Sequence, residues 1–384
     1  MKITMLIYSC LVCSSAFAQT VPHYSFHHHR IAHDDRAEHR IHPAENVTFE
    51  PMMAWTYQHA SKVLPGTSST RAVLYYDIGG AWTMWNETAG LGQIVYGIQG
   101  NVNGGTSVFP SLANSLGNPI AMNNILTSEK LELSSLYWQQ SFSDHKTRVR
   151  IGKFLDSGFF DRNAIAADPV SGFMAQNFNQ SITNPMPGYG FGMNVEWDVT
   201  EESIIRLGIA NSEPKGVRTS GFGGMTWKHL YSVAELDVTL TRTIQDVVHE
   251  GHFRFIVWHN GIKNDSGTGD IEGWGALFNC DQKIADDTTV FARIGIGEKE
   301  VTTSNFSVSA GFELDNPLGF SNTTTGLAYQ FAELSVDDNQ QHFVEWYART
   351  QLENGMYIGP VVQYFEDDNI NGSVIQGFRT SLSF

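Results

Sequence analysis

The chain has 384 residues, 40 acidic against 24 basic side chains for a net charge of −16, and is rich in glycine (36) and aromatics (12%). That acidic surplus argues against a nucleic-acid-binding protein and against attachment to an anionic membrane surface. Three cysteines, at positions 10, 13 and 280, are too few for a disulfide-stapled scaffold.

Residues 1–18 read as a secretory signal. Lys2 gives a positive start, Ile3 to Val12 are mostly apolar, and Ala16-Phe17-Ala18 supplies a small-x-small cleavage site before Gln19. The apolar run is too short to cross a bilayer, for which a helix needs about 20 residues. Lipidation at Cys13 is disfavoured because Val12 is a poor residue before a lipidated cysteine. Cleavage removes Cys10 and Cys13, leaves Cys280 alone and takes the net charge to −17 with the loss of Lys2. The exported chain therefore has no intrachain disulfide.

Residues 19–50 form a polar, low-complexity arm. Seven of the fourteen histidines lie between His23 and His42, among them His27, His28, His29 and His33, mixed with Arg30, Asp34, Asp35 and Arg36. Closely spaced imidazoles capture Zn²⁺ or Cu²⁺. They lack fixed ligand spacing and a cysteine partner, so a loose metal-scavenging tail competes with an arm that binds nothing.

From residue 51 to 384 the pattern becomes apolar–polar alternation in runs of about ten residues, the period of a strand with one apolar face. Val149 and Ile151 alternate with Arg148 and Arg150; Ile205, Leu207 and Ile209 alternate with Arg206 and Gly208. Phe253, Phe255 and Val257 alternate with His252, Arg254 and Trp258; Ala292, Ile294 and Ile296 alternate with Phe291 and Arg293; Val344, Trp346 and Ala348 alternate with Glu345, Tyr347 and Arg349. About sixteen such runs begin near residues 52, 70, 89, 128, 146, 187, 202, 227, 247, 270, 286, 303, 322, 339, 355 and 373. Short turns follow the even runs, as at Ser143-Asp144-His145, Thr200-Glu201, Ala285-Asp286 and Asn354-Gly355. Long connections follow odd runs, notably 102–127, 157–186 and 212–226. Short turns at one end and long loops at the other are the parity of an outer-membrane barrel. The last run, Val374 to Phe384, ends on phenylalanine, which resembles an outer-membrane assembly signal. The predicted fold is all-β, a transmembrane antiparallel barrel of about sixteen strands in the bacterial outer membrane, with lipid outside and water inside.

Wide barrels commonly fold the connection between the fifth and sixth strands into the lumen. Here that is 157–186, with Phe159, Phe160, Asp161, Arg162 and Asp168. Its length points to function. Its carboxylates facing the inward arginines Arg148, Arg150, Arg206, Arg254 and Arg293 would set up a transverse field favouring polar solutes. Alternatively the same charges tie the loop to the wall. Sugar recognition adds planar hydrogen-bonding groups and aromatic faces, for which Trp258, Phe291, Glu345, Tyr347 and Arg349 are the inward candidates, in competition with membrane-girdle roles for the aromatics. A nucleophile elbow, a His-Glu-x-x-His pair and a P-loop are all missing from the sequence, which argues against an enzyme.

Several stretches carry a family resemblance. They are Thr147-Arg148-Val149-Arg150-Ile151-Gly152-Lys153, Phe159-Phe160-Asp161-Arg162-Asn163, Asn184-Pro185-Met186-Pro187 and Gly251-His252-Phe253-Arg254-Phe255. Asp281-Gln282-Lys283, Phe291-Ala292-Arg293, Asn316-Pro317-Leu318-Gly319 and Glu345-Trp346-Tyr347 follow in order, so that roughly 130–384 resembles the OprB-type carbohydrate-selective porins. The resemblance implies a monomeric sixteen-stranded barrel, as against a trimer, passing glucose-like sugars by facilitated diffusion. It further implies a narrowest point lined by charged and aromatic groups, Asp161, Arg162 and Arg293 among them. The expected partners are small sugars and other small polar solutes, and outer-membrane lipid; no cofactor is expected. The alternatives are a general or metal-linked porin using the histidine arm, and a structural or adhesive barrel with a plugged lumen.

Overall fold

A computed structural model describes residues 41–44, 46–87, 90–103, 112–125, 131–142, 146–154, 156–212, 229–244, 247–263, 270–335, 338–352 and 355–383. The signal segment, His27, His28, His29 and His33 of the arm, and Phe384 lie outside the described residues.

A short strand β1 (Ile41–Ala44) leads into β2 (Val47–Ala60) and pairs with it. The wall continues through β3 (Thr70–Glu87), β4 (Gly90–Asn103), β5 (Glu132–Phe142), β6 (Thr147–Phe154), β7 (Gly190–Asp198), β8 (Ser203–Asn211) and β9 (Leu230–Ile244). It is completed by β10 (Val247–Lys263), β11 (Asp270–Ala285), β12 (Thr288–Gly297), β13 (Ser304–Asp315), β14 (Thr323–Leu334), β15 (Gln340–Gln351), β16 (Met356–Glu366) and β17 (Ser373–Ser383). From β2 to β17 each strand pairs antiparallel with the next, and β17 pairs back onto β2, Phe378 opposite Tyr57. The result is a closed sixteen-stranded barrel, which removes every sheet edge.

Strand pairing starts earlier than the alternation predicts, at Ile41 rather than beyond residue 50. Residues 41–44 and 47–50, assigned from the sequence to the arm, belong to the sheet. The polar residues of 42–50, together with Pro51, which has no N–H to donate, hide the periodicity there. Elsewhere the predicted runs and the strands coincide to within about five residues, the usual slack of element ends. The turn-length parity also holds. Two residues join β3 to β4, β9 to β10 and β11 to β12, whereas 104–131, 155–189 and 212–229 are the long connections, all at the opposite end. The connection 316–322 is the long member of the short set, and it bends through left-handed Asn316, Leu318 and Asn322.

The two faces differ as a membrane barrel requires. Along β2, Met52, Ala54, Thr56, Gln58 and Ala60 turn inward while Met53, Trp55 and Tyr57 turn outward. Outward-facing Phe255, Val257 and Trp274 are each more than half exposed, and Leu207, Ile296 and Trp346 join them in a continuous apolar belt. Such a surface is untenable in water and natural against lipid tails. Among the described residues no helix is long and apolar enough to cross a membrane.

Candidate pore constriction

Residues 156–189, between the fifth and sixth barrel strands, fold into the lumen. Two apolar anchors seat them. At the start of the loop Phe159 meets Tyr137 and Phe154 edge to face, with centroids 6.0 and 5.3 Å apart. Phe160 lies on Gly208, where an added Cβ would come within 2.7 Å of its Cζ. Further along, Phe173 packs edge-on against Tyr347 at 5.1 Å and tilts against Phe291 at 5.7 Å, while Phe178 lies 5.7 Å from Phe343. Gly326 leaves the room that Tyr347 and Phe173 occupy, an added Cβ lying 3.1 Å from the Phe173 ring. Inward glycines thus act as sockets for loop rings.

Polar clasps fix the loop's height. Glu345 of β15 accepts the backbone N–H groups of Met174 (2.5 Å) and Ala175 (3.0 Å), and Gln363 of β16 donates to it at 2.9 Å. Arg379 of β17 donates to the carbonyls of Pro169 (2.5 Å) and Gly172 (2.9 Å). Arg293 of β12 donates to the Asp161 carboxylate (2.9 Å) and to the carbonyls of Phe178 (2.7 Å) and Ala166 (3.1 Å). Irregular backbone inside a barrel needs such partners, because its own N–H and C=O groups have no ladder to join.

A second segment turns inward, which the sequence reading did not anticipate. Residues 112–125 bury Leu112, Leu116, Ile120, Met122 and Ile125. They join the first loop through Asn124 N–H to Met174 O (2.8 Å) and Gln176 N–H to Ala121 O (2.9 Å), and the wall through Asn123 to Thr56 (3.0 Å). The available signal was five apolar residues inside a connection, where solvent-facing loops are polar.

The wall from β6 to β12 carries the inward arginines. Arg148 donates to Glu196 (2.5 Å) and Asp198 (2.7 Å). Arg206 bonds Glu196 (2.6 Å), Glu235 and Asp237 (3.0 Å), and Arg254 pairs with Asp281 (2.6 Å) and Asp237 (3.3 Å). Arg150 donates to Gln139 (2.7 Å) and Asn194 (3.2 Å) and lies over the Phe159 ring at 4.6 Å. Strand register makes this row: Arg148 stands opposite Glu196, Glu196 opposite Arg206, Arg206 opposite Glu235, and Asp237 opposite Arg254.

The carboxylates facing the arginines therefore come mainly from neighbouring strands. Of the loop acids, Asp161 bonds Arg293, while Asp168 accepts from Val170 N–H (2.9 Å) and Ser171 Oγ (2.7 Å) within its own turn and lies within electrostatic reach of Arg349 and Arg379. For Arg148, Arg206 and Arg254 the facing carboxylates stand on adjacent strands, whereas Arg293 meets the loop acid Asp161. Glu196, Glu235, Asp237, Asp281 and Asn279 were missed, although each sits at an inward position of its strand.

The aromatic candidates also find other work. Trp258 is buried in a cluster with Tyr231, Val233, Ile256 and Leu277, and the Tyr347 hydroxyl donates to Glu313 while Arg379 lies over its ring at 5.6 Å. Arg349 lies over Tyr357 at 5.4 Å. Arg162 differs from the five arginines held by wall and loop acceptors. It is half-buried and, among the described residues, its guanidinium makes no hydrogen bond or ion pair; only its backbone carbonyl is held, by Asn279 at 2.8 Å. Burial and the nearby Arg206 and Arg254 lower its pKa, but a guanidinium stays protonated throughout the working range. Solute binding that depends on it is therefore expected to be flat from about pH 6 to about pH 9. A titration of sugar block in a planar bilayer checks this, and a loss already at about pH 8 would contradict it.

A closed antiparallel barrel with a lipid-facing apolar belt, a polar inner wall and an inward-folded loop is a transmembrane pore of the porin class. The family model of the OprB carbohydrate-selective porins matches residues 86–384, and the chain belongs to that family. Among solved structures, the high-pH structure of Pseudomonas putida OprB aligns with a TM-score of 0.72 at 10% identity, covering 88% of this chain and 94% of that one. A mutant of Rh. blastica porin aligns at 0.57 and 13% identity over 88% and 100% of the two chains. The low-pH structure of P. putida OprB aligns at 0.53 and 11% identity over 88% and 92%. Identities this low speak for the fold alone. No curated protein sequence matches the chain.

Proposed function

We propose that the chain is a passive pore of the bacterial outer membrane through which small sugars and other small polar solutes diffuse, without cofactor or catalytic turnover, and that Arg162 contacts the solute. The carrying observation is the contrast between Arg162 and the wall arginines. Arg148, Arg150, Arg206, Arg254 and Arg293 are each held by protein acceptors, so their charge is largely compensated. Such a lumen exerts little net pull on ions and suits uncharged solutes. Arg162 keeps five N–H donors in a planar fork available to adjacent hydroxyls of a pyranose.

The test is single-channel conductance in a planar bilayer with glucose and maltose titrated in. Saturable block is expected for the native protein, and Arg162→Ala is expected to weaken it about tenfold, the scale of one hydrogen bond to a charged group. Arg162→Lys, a point donor without the fork, should fall between. Sugar block unchanged in Arg162→Ala would remove Arg162 from the site; no conductance from the native protein would sink the pore reading itself.

A further inference from the structure

We propose that Asp161 is the positioning residue of the constriction: it sets where the inward loop stands and thereby presents Arg162 to the lumen. This rests on the reading of Arg162 as the solute contact. Asp161 itself touches no solute.

Three strands and both ends of the loop converge on this one residue. Its Oδ2 accepts the backbone N–H of Ser181 at 2.6 Å, joining the loop's beginning to its end twenty residues on. Its Oδ1 accepts from Asn279 of β11 at 2.7 Å and from Arg293 of β12 at 2.9 Å. Its own N–H donates to Glu235 of β9 at 2.8 Å. The carboxylate is thus the node of a ring: wall to loop start, loop start to loop end, and back to wall through the Arg293 bond to Phe178 O at 2.7 Å.

Backbone shape makes the node directional. Asp161 is left-handed, with φ 55°. Aspartate tolerates that region better than most residues because its short side chain bonds locally. Just before the turn, Phe159 and Phe160 are wedged into the wall around Tyr137 and Gly208. Just after it, Arg162 lies within electrostatic reach of Arg206, Glu196, Arg254 and Glu235, its carbonyl held by the same Asn279 amide that bonds Asp161. The left-handed turn lets consecutive side chains part company, the acid into the β11–β12 wall and the guanidinium toward the β7–β10 side.

The chemistry at this position demands a carboxylate. All three side-chain contacts are donors, from a backbone N–H, an amide and a guanidinium, and a carboxylate is an acceptor on every lone pair. Asparagine of the same size offers one acceptor oxygen and turns an NH₂ toward another donor, so one contact becomes a repulsion. Asp161→Asn therefore tests position with little change of volume.

The experiment compares native protein, Asp161→Asn, Arg162→Ala and the double variant in planar bilayers, reading open conductance and sugar half-block. Folding is read separately from the heat-dependent mobility shift of the barrel on a denaturing gel. Asp161→Asn should keep the folded mobility, raise open conductance and weaken sugar block about as much as Arg162→Ala; the double variant should be no weaker than the weaker single one, because both changes remove one contact. Should Asp161→Asn fail to assemble, Asn279→Ala withdraws one donor to Asp161 and the hold on the Arg162 carbonyl without stranding a charge. It is expected to give a smaller shift in the same direction. Native conductance and native sugar block in a folded Asp161→Asn or Asn279→Ala protein overturn the proposal. If Arg162→Ala leaves sugar block intact while Asp161→Asn raises conductance, the solute assignment fails and the loop-positioning role stands.

Discussion

Arg206→Leu is expected to destabilise the barrel by about 3–5 kcal/mol, the scale of removing one partner from a buried charge network. Arg206 bonds Glu196, Glu235 and Asp237, and all four side chains are at most 4% exposed. Their losses differ. Glu196 retains Arg148 at 2.5 Å and Asp237 retains Arg254 at 3.3 Å, whereas Glu235 keeps, among the described residues, only the Asp161 N–H. The largest penalty therefore falls on Glu235, and Arg206→Leu combined with Glu235→Leu should recover part of the loss. Denaturant unfolding in detergent micelles, followed by tryptophan fluorescence, measures both. A loss below about 1 kcal/mol would mean that lumen water screens the row as it screens an exposed pair.

Glu345→Ala is expected to loosen the inward loop rather than the barrel wall. It withdraws the acceptor for two backbone N–H groups, Met174 and Ala175, and for the Gln363 amide. At about 1–3 kcal/mol for each buried donor left without a partner, the cost exceeds what loop backbone can bear without moving. Phe173 and Phe178 still pack on Phe291, Phe343 and Tyr347, so the loop shifts instead of leaving the lumen. The segment 112–125 is joined to it at Met174 and Gln176 and should shift as well. Limited proteolysis within 156–189 should speed up and open-channel noise should rise, with the barrel's heat-dependent gel mobility unchanged. Glu345→Gln retains one acceptor oxygen and should lie between. Native protease resistance in Glu345→Ala would show that ring packing alone holds the loop.

The barrel was legible because its signal is local. Each strand alternates with a period of two, so Leu207 against Arg206 or Phe255 against Arg254 declares which face meets lipid before any partner strand is known. Turn length likewise belongs to single stretches of chain, and the short–long parity followed from it. The strand Val47–Ala60 was read late because Pro51 and the polar residues before it interrupt the pattern.

The constriction was legible only in outline. Legible along the chain were a closed barrel of about sixteen strands, the inward face of Arg148, Arg150, Arg206, Arg254, Arg293 and Arg349, and a long fifth connection carrying Asp161 and Arg162; Arg379 of β17 was not. Tertiary structure alone decided the pairings. Arg206 meets Glu235 because register places them opposite across thirty residues of chain, and Asp161 meets Ser181, Asn279 and Arg293 only once the loop has folded inside. Periodicity is written along the chain, whereas a charge's partner depends on which strand lies beside it. That is why Arg162 stood among similar arginines in the sequence and is set apart from Arg148, Arg150, Arg206, Arg254 and Arg293 in the fold, its guanidinium bonded to no other described residue.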